Sequence, residues 1–562
     1  MAFLPQEVGF VVIVVFLVGG DRASTRESIE AVCRLKNVQP VAILVDTHRS
    51  PAKGRWKNLR RNIKREGIGY VPRRALSFVR EALDGLAGRV VPKREVEALL
   101  RQAFPERIFE LKDLEKRYGC VVEEVGNLNG PLAGERLRHY RAQLGIVLGT
   151  RILKRHTFSV PDFGSINLHK GRVPQYRGMP PAFWELYEGA AEAGVTVHYV
   201  DDGLDTGEVL GSGLTAIHPQ ETLSSLKRKL DELGTATLAE TVERMAGGQL
   251  QGTRQESGQW PARSGPTAAQ RKELAGRIAG DEEDSDLRRI VKTAVHLALY
   301  YGGVWAALRY WRPVRLGRAG IILHHRVNDR SEDRLTTQTR VLGEQLVVLK
   351  RYYRVEKTAV LVGQILRRES VGRGAVAIHF DDCYRDVYQC GGPLLKAAGA
   401  PATMFVATGF IDTDRIFEHD RVKYALRFEN LKREEVAGLA GYGVEVGAHT
   451  VNHVDLGTIE AEQAKWELEQ SKKDLEQITG REVPFFSFPF GKETNIRPEV
   501  REMVKEAGFV ALFSAHGGYV SGESDPYDIK RFGTNSRYRA LDLMMELEGI
   551  SVAHMARKLR GR

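Results

Sequence analysis

Short apolar runs separated by polar or helical stretches recur along the first third of the chain and again from Ile321 onward. The first set comprises Val11–Val18, Val41–Val45, Val121–Val122 and Leu144–Leu148. Apolar runs that alternate with helices are typical of strands buried on both faces of a parallel sheet. The pattern therefore predicts an α/β fold in both halves. Because no internal repeat is visible, the halves are not a duplication.

The segment 251–286 separates the two alternating regions, and its Gly, Ser, Pro and Gln content is typical of a linker. After it, Thr293–Leu308 contains no acidic residue, Lys or Arg. These sixteen residues are fewer than the ~20 that a membrane-spanning helix needs. We expect a helix packed against the domain that follows. The alternative is a helix docked on a membrane surface, because four arginines follow it directly: Arg309, Arg312, Arg315 and Arg318.

The positive charge of the chain is concentrated in one window. Lys and Arg number 83 against 72 Asp and Glu, which gives +11. The window Arg49–Arg80 holds eleven cations and one acid, Glu66, and so carries +10 of that total. This distribution argues against a chain-wide nucleic-acid-binding surface. Three hypotheses remain for the window: contact with anionic lipid, binding of a nucleotide diphosphate, or a solvated helical face.

Cysteine content and the N-terminal sequence both favour a cytoplasmic protein. The four cysteines form no CxxC pair and no disulfide framework. The apolar stretch 9–20 lacks a preceding Lys or Arg and an evident cleavage site, so we interpret it as a buried strand that runs into a loop rather than a signal segment.

A first set of polar residues lies in the N-terminal half. Asn167 and His169 are two residues apart at the end of a short apolar run, so their side chains leave one strand on the same side. Asp205 follows the predicted strand 195–200 in a turn. An amide and an imidazole can stabilise an oxyanion, while a carboxylate orients the imidazole or relays protons. Each residue alone is usually structural, but together they indicate acyl transfer.

The surrounding sequence resembles the 10-formyltetrahydrofolate-dependent formyltransferases, a family that includes methionyl-tRNA, glycinamide-ribotide and sugar-nucleotide formyltransferases. The resemblance rests on GTRIL (149–153), INLHKGRVPQYRG (166–178) and GVTVHYVDDGLDTG (194–207). It covers about residues 1–250 and implies a Rossmann-like domain that formylates a primary amine. It also implies catalytic roles for Asn167, His169 and Asp205. The residues placed at the cofactor are Gly149, Thr150, Arg151, Tyr176, Arg177 and Gly178.

Two departures from the family bear on the acceptor. Lys170 and Arg172 add cations where the acceptor would enter, so a phosphorylated acceptor and solvated loop cations are both open. No room remains before the linker for the C-terminal barrel expected of a methionyl-tRNA enzyme. A tRNA acceptor is therefore the weaker hypothesis, and we expect no nucleic-acid partner.

A second set of residues lies in the C-terminal half. Asp381 and Asp382 follow the apolar run 375–380, at the strand end where barrel enzymes place their chemistry. His449 and His453 are four residues apart and can face one ion. Two imidazoles and a carboxylate form the ligand set of a hydrolytic Zn²⁺ or a related divalent metal, and a second carboxylate can act as base.

This second pattern resembles the polysaccharide deacetylase (NodB-homology) family. HFDDCY (379–384), HTVNH (449–453), FSFPFG (486–491) and the opening GIILHHRVND (320–329) carry the resemblance. It implies a distorted (β/α)7 barrel that hydrolyses an N-acyl group from an amino sugar. Asp381 is then the general base, and the metal ligands are Asp382, His449 and His453. The resulting domains are 1–250, a linker and lead-in helix at 251–317, and 318–562.

Two features of the second domain depart from that family, and an arginine offers a further role. Cys383 replaces the usual Gly and could strain the loop or lie near the metal. The usual Leu-His element that supplies the general acid is not evident, which leaves His516 and His554 as candidates. Arg531 could orient Asp381.

Together the two halves predict an enzyme that modifies the nitrogen of an amino sugar, free, nucleotide-linked or polyprenyl-phosphate-linked. The hydrolase could free an amine that the transferase formylates, or remove the formyl group after transfer to a lipid carrier. The tetrahydrofolate requirement places the first reaction in the cytoplasm, with peripheral contact to an anionic membrane as an open expectation. The alternative is a formyltransferase joined to a catalytically silent deacetylase-like module.

Overall fold

The computed structural model describes residues 11–48, 60, 62–63, 70–219, 221–256, 260–278, 286–310, 317–330, 333–423, 427–491, 495–535 and 537–559. The chain divides into two compact units. The first comprises Met1–Val71 and Glu106–Gly280, and the second Pro72–Pro105 and Asp281–Arg562. The boundaries at 250 and 318 stay predictions. The structure groups 251–280 with the first unit and 72–105 with the second.

The first unit is built on a seven-stranded sheet with the order β3-β2-β1-β4-β5-β6-β7. Its strands are β1 Val12–Val18, β2 Val38–Val45, β3 Val121–Glu124, β4 Leu144–Leu148, β5 Ser165–His169, β6 Glu192–Tyr199 and β7 Val209–Ala216. The first five strands run parallel, whereas β6 and β7 are antiparallel. This arrangement confirms the predicted Rossmann-like α/β fold.

Strand β1 shows why its sequence is almost entirely apolar. Val14, Phe16 and Val18 face one hydrophobic core, and Val15 and Leu17 face the other. A strand covered on both faces needs apolar residues at successive positions rather than at alternate ones. The helices of the first unit are Ala23–Cys33, Leu111–Tyr118, Pro131–His139, Arg155–Phe158, Phe183–Glu188, Leu223–Ala246 and Ala268–Arg277.

The second unit is built on a curled parallel sheet with the order β16-β15-β14-β13-β12-β8-β17, and β11 pairs with β12. Its strands are β8 Gly320–His324, β9 Arg326–Val327, β10 Thr336–Thr337, β11 Arg354–Val355, β12 Ala375–Phe380, β13 Ala402–Val406, β14 Val444–Ala448, β15 Phe485–Ser487, β16 Ala511–Phe513 and β17 Phe532–Gly533. A bridge from Phe513 to Ile529 connects β16 to the segment before β17. The predicted distorted-barrel architecture is confirmed.

The α-helices of the second unit surround this sheet. They are Tyr70–Ala87 (which begins in the first unit), Lys93–Ala103, Asp286–Tyr301, Val304–Tyr310, Thr339–Tyr352, Thr358–Leu366, Gly392–Ala398, Glu418–Lys423, Arg433–Gly438, Ala461–Thr479, Pro498–Glu506, Ala540–Leu547 and Val552–Leu559. Short 3₁₀ turns lie at Thr408–Phe410 and Leu439–Tyr442, and one π-helical turn lies at Val387–Gly391.

The predicted lead-in helix is two helices separated by Gly302 and Gly303, and Gly303 has a φ of +78°. His296, on the helix Asp286–Tyr301, forms two contacts with other residues of the second unit. Its Nδ1 lies 2.9 Å from Asp542 Oδ1, and its Nε2 accepts a hydrogen bond of 3.2 Å from the Val552 amide. These contacts agree with a helix packed on its own domain.

Much of the basic window Arg49–Arg80 lies outside the described residues. Its described part includes the start of the helix Tyr70–Ala87, where the Arg74 guanidinium lies 4.2 Å from the centre of the Phe78 ring. Within the described part of the chain, no helix combines the length and the apolar character needed to cross a bilayer.

Candidate active sites

The first site lies along β5 and at the end of β6, which runs antiparallel to it in the first unit. Asn167 and His169 are on β5, and Asp205 follows β6 in a turn with a left-handed φ of +54°. His169 Nδ1 lies 3.4 Å from Asp205 Oδ2. The structure thus brings the imidazole and the carboxylate together as predicted, and Asn167 joins them through a further histidine, His198.

His198 completes this cluster and was not among the predicted site residues. It pairs with Asn167 in the antiparallel register of β5 and β6. Its Nε2 lies 3.3 Å from Asn167 Nδ2 and 3.6 Å from Asp205 Oδ1. Because its Nδ1 lies 2.8 Å from the Tyr199 carbonyl, that nitrogen carries the proton, so Nε2 accepts from the Asn167 amide. The sequence signal was the alternation of Thr196 and His198 on one face of β6.

The protonation of His169 follows from its neighbours. Nε2 lies 2.8 Å from the Tyr176 carbonyl, which can only accept, so Nε2 carries the proton and Nδ1 presents its lone pair to Asp205. Burial lowers the pKa of His169, although the charge of Asp205 opposes this shift. Burial opposes ionisation of Asp205, but its contacts with His198 and His169 and the Gly178 amide hydrogen bond outweigh this, so its pKa is lowered. A neutral imidazole beside an ionised carboxylate forms a proton-accepting pair.

A cleft of about 510 Å³ opens beside this cluster. Four of the six residues predicted at the cofactor line it: Gly149, Thr150, Arg151 and Gly178. The other two are not among its lining residues. Tyr176 supports His169 through its carbonyl, and Arg177 is buried and donates to the Trp260 carbonyl.

Gly19, at the end of β1, packs against the backbone of Gly149, which lines the cleft. A Cβ at Gly19 would lie 2.0 Å from the Gly149 carbonyl oxygen, so the ends of β1 and β4 meet without side chains. A cleft of this size is within the range of cofactor sites. Lys170 lines the cleft and pairs with Asp231, whereas Arg172 is exposed. The link between these two cations and a phosphorylated acceptor stays a prediction.

The second site lies at the carboxyl ends of β12 and β14 in the second unit. Asp382 Oδ1 lies 3.5 Å from His449 Nε2 and 3.1 Å from His453 Nε2. The ligand atoms of these three residues all lie within 4.8 Å of one another. Asp382 and His453 both adopt left-handed φ values, +78° and +54°, so the local backbone is strained to point their side chains at one place.

The three residues fit a divalent metal ion. The His449 Nδ1 lies 2.7 Å from the Ser487 carbonyl, which places its proton there and leaves the Nε2 lone pair directed at Asp382. Asp382 Oδ2 is buried and has no hydrogen-bond partner among the described residues. One carboxylate, with a buried oxygen that has no partner among the described residues, and two imidazoles form a donor set suited to Zn²⁺ or a related ion. The identity of the metal stays a prediction.

Asp381 is held by a buried arginine. Arg531 Nη1 and Nη2 donate to its two oxygens at 2.8 and 2.7 Å, and Ser487 Oγ donates at 3.0 Å. Burial opposes ionisation of Asp381, but the Arg531 guanidinium outweighs it and lowers the pKa of Asp381 to about 2. The hypothesis that Arg531 orients Asp381 agrees with this bidentate contact.

The remaining predicted residues have other surroundings. Cys383 is buried, and burial raises the pKa of its thiol, so it is a neutral thiol rather than a thiolate ligand. His516 Nε2 lies 3.3 Å from Asp528 Oδ1. The His554 ring lies 5.8 Å from the Tyr519 ring. These contacts tie neither histidine to Asp381.

Two histidines near the second site were missed. His325 directly follows β8, which ends at His324. The backbone carbonyl of His324 accepts a hydrogen bond of 3.0 Å from the Asp381 amide. Burial lowers the pKa of His325 against the opposing charges of Asp382 and Asp381, and its buried Nδ1 has no hydrogen-bond partner within the described chain. His419 Nε2 lies 3.9 Å from Asp382 Oδ2. The available sequence signal was the pair His324 and His325 at the end of β8. The ends of barrel strands converge on one site, so this pair indicates a position near it.

Comparison with known proteins matches each half of the chain to one family. Residues 95–242 match the family model for formyl transferases, and residues 368–512 match the model for polysaccharide deacetylases. The chain carries one domain of each family.

The formyltransferase domain is similar to curated methionyl-tRNA formyltransferases. The protein from Geotalea uraniireducens is 34% identical over 141 residues, which are 25% of this chain and 45% of the relative. That from Koribacter versatilis is 40% identical over 119 residues, 20% of this chain and 38% of the relative. The chain thus spans less than half the length of these two relatives.

Solved structures are similar to parts of the chain. The deacetylase PplD of Streptococcus pyogenes, in complex with acetate, is 18% identical and covers 41% of this chain and 99% of its own, with a TM-score of 0.36. An N-formyltransferase from Helicobacter canadensis, in complex with folinic acid and dTDP-3-aminofucose, is 14% identical and covers 45% of this chain and 71% of its own, with a TM-score of 0.28.

Proposed function

We propose that this chain is a bifunctional enzyme that acts on the nitrogen of amino sugars. Its formyltransferase domain transfers a formyl group from 10-formyltetrahydrofolate to a sugar amine, and its deacetylase domain hydrolyses an N-acetyl or N-formyl group from a carbohydrate. The observation that carries the proposal is that each unit brings one reactive cluster together: His169 with Asp205 in the first, and Asp382 with His449 and His453 in the second. The carbohydrate is the shared element, because a polysaccharide deacetylase domain accompanies the transferase.

The transfer step uses the proton-accepting pair described above. The acceptor amine attacks the formyl carbon, so a new C–N bond forms while the bond from that carbon to the folate nitrogen breaks. His169 Nδ1 and Asp205 Oδ2, 3.4 Å apart, take the amine proton and return it to the departing nitrogen. The Asn167 amide stabilises the oxyanion, and its hydrogen bond to His198 Nε2 fixes its orientation.

The hydrolytic step uses the metal-ligand cluster together with Asp381 and His325. Asp382, His449 and His453 would hold the divalent ion, which supplies Lewis-acid polarisation of the acyl carbonyl. Asp381 accepts the proton of the attacking water, and Arg531 keeps it ionised and oriented. We assign the proton relay to the leaving amine to His325. Burial lowers its pKa, so its neutral ring can take up the proton that Asp381 accepts and pass it on, and its buried Nδ1 has no hydrogen-bond partner among the described residues.

Amine-dependent release of tetrahydrofolate tests the transferase. Purified full-length protein is incubated with 10-formyltetrahydrofolate and a panel of nucleotide-linked amino sugars. We expect turnover with at least one of them and its loss in His169→Ala and Asp205→Ala. Full activity in these two variants would overturn the assignment.

Metal analysis and hydrolysis of N-acetyl and N-formyl sugars test the second domain. We expect a divalent metal to copurify and hydrolysis to vanish in Asp382→Ala. A protein that binds no metal, with no hydrolysis on either acyl series, would support the silent-module alternative. The ratio of acetate to formate released identifies the acyl group and, with it, the order of the two reactions.

A methionyl-tRNA acceptor is the second candidate, because curated relatives of the formyltransferase domain are named methionyl-tRNA formyltransferases. Two features count against it: this chain matches less than half of those relatives, and its second unit is a deacetylase domain. Formylation of charged initiator tRNA with a steep salt dependence, and of no amino sugar, would favour this candidate.

A further inference from the structure

The segment after the helix Leu223–Ala246 stays with the first unit and pairs with backbone beside the first active site. We call its described residues, 252–256 and 260–264, the strap. Thr253 and Val209 exchange two backbone hydrogen bonds of 2.8 Å. Further along, the Arg263 amide donates to the Arg177 carbonyl at 2.7 Å, and the Arg263 carbonyl accepts from the Met179 amide at 3.3 Å. The strap therefore touches the chain on both sides of Asp205.

Gln255 binds the turn that carries Asp205. Its Nε2 donates to the carbonyls of Asp205 and Gly207, at 3.2 and 2.6 Å. Both partners are carbonyl oxygens, which fixes the nitrogen of the amide on that side. These are side-chain hydrogen bonds to backbone, so the identity of residue 255 matters for the turn.

This turn needs external support. Asp205 adopts a left-handed φ of +54°, a strained conformation for a residue other than glycine. A Cβ at Gly207 would lie 1.8 Å from the Tyr199 carbonyl oxygen, so the turn is pressed against the end of β6. Such a conformation persists only where the surroundings hold it.

The other end of the strap supports the donor to the Asp205 carboxylate. The Gly178 amide donates to Asp205 Oδ2 at 3.0 Å. Gly178 has a φ of +91°, and a Cβ there would lie 2.2 Å from the Arg263 carbonyl oxygen. The strap backbone thus packs directly on Gly178. One segment holds both the backbone of Asp205 and the amide that orients its carboxylate.

We propose that Gln255 is a positioning residue for formyl transfer, which acts by holding the Asp205 turn so that the carboxylate faces His169. The inference rests on the proposed transferase function. It gives Gln255 a role in catalysis, although the composition of the surrounding segment is that of a linker.

Steady-state kinetics of the full-length chain test the proposal. In Gln255→Ala we expect kcat for tetrahydrofolate release to fall by about 10- to 100-fold, because small displacements of a catalytic group have effects of this size. KM for both substrates should change by less than about twofold, since Gln255 contacts the turn and not the cleft. Gln255→Glu should lose at least as much activity, because a carboxylate faces two carbonyl oxygens. Arg254→Ala, whose side chain is 94% exposed, is the matched control and should keep wild-type kinetics.

A double-mutant cycle separates positioning from general stability. If Gln255 acts through Asp205, adding Gln255→Ala to Asp205→Asn should lower the residual rate by less than about twofold. A full additional loss in that background, accompanied by a lower melting temperature, would overturn the proposal and make Gln255 merely structural. Wild-type kinetics in Gln255→Ala would also overturn it. A wild-type chain without transferase activity would refute the proposed function itself, and this inference with it.

Discussion

The buried contact between Arg531 and Asp381 gives the sharpest energetic prediction. Arg531 is fully buried and makes four hydrogen bonds: two to Asp381, one to Ser487 and one to the Ser514 carbonyl. Replacing Arg531 by Met leaves the Asp381 carboxylate buried without its cation. Breaking a buried pair in this way destabilises a protein by about 3–5 kcal/mol. For a unit of this size we expect the melting temperature to fall on the order of 10 °C.

The same substitution changes the pH dependence of hydrolysis. With Arg531 present, the pKa of Asp381 is about 2, below its ordinary 3.8. The stability contributed by this shift is therefore present above pH 3.8 and is lost as pH falls toward about 2. Without Arg531, burial loses its strongest opponent and only His449 and His325 still favour the charged form. The pKa of Asp381 should therefore rise, and the acid limb of kcat/KM for hydrolysis should move to higher pH.

Calorimetry and a pH–rate profile on the full-length chain measure both effects. Arg501→Met is the control, because Arg501 pairs with the half-exposed Asp525 and a surface pair of this kind contributes less than about 1 kcal/mol. Combining Arg531→Met with Asp381→Leu should recover much of the lost stability, since no unpaired charge remains. A double variant as unstable as the sum of the single variants, or an unshifted acid limb in Arg531→Met, would refute the reasoning.

Three further predictions concern the two sites. His198→Ala should lower kcat for formyl transfer by about 10- to 100-fold, because Asn167 loses the acceptor that orients its amide; stopped-flow release of tetrahydrofolate measures this, and an unchanged kcat would contradict it. The acid limb of kcat/KM for transfer should lie below pH 6.5, since burial lowers the pKa of His169 and the ring stays neutral to lower pH; a limb above pH 6.5 in the pH–rate profile would show a protonated imidazole instead. His453→Ala should weaken Co²⁺ binding by at least about tenfold, because one of three ligands is lost; absorption titration measures the affinity, with His516→Ala as the matched control.

The sequence predicted that Asp382, His449 and His453 lie close together, because they belong to short motifs at strand ends. Asp381 and Asp382 directly follow a buried strand, and His449 and His453 occupy one loop, so parallel strands alone bring them together. His198 and His325 were missed for a different reason. The role of His198 depends on the pairing of β5 with β6, and that of His325 on the curl of the sheet, neither of which a local pattern encodes.

The assignment of segments to the two units likewise depends on tertiary contacts that local sequence does not encode. The helix Lys93–Ala103 groups with the second unit, although it precedes most of the first unit in the sequence. Segment 251–266 has the composition of a linker, yet its backbone pairs with β7 and with Gly178. Composition reports the local preference for irregular backbone, whereas tertiary hydrogen bonds decide where that backbone lies.

Product analysis on single-site variants tests the central claim most directly. Full-length wild type, His169→Ala and Asp382→Ala are each given 10-formyltetrahydrofolate with a nucleotide-linked amino sugar and, separately, an N-acylated amino sugar, and products are identified by mass spectrometry. The account predicts that wild type yields both the N-formyl sugar and the free amine. His169→Ala should lose only formylation, and Asp382→Ala only hydrolysis. Absence of either product from the wild type, or loss of both reactions in one variant, would contradict two independent sites on one chain.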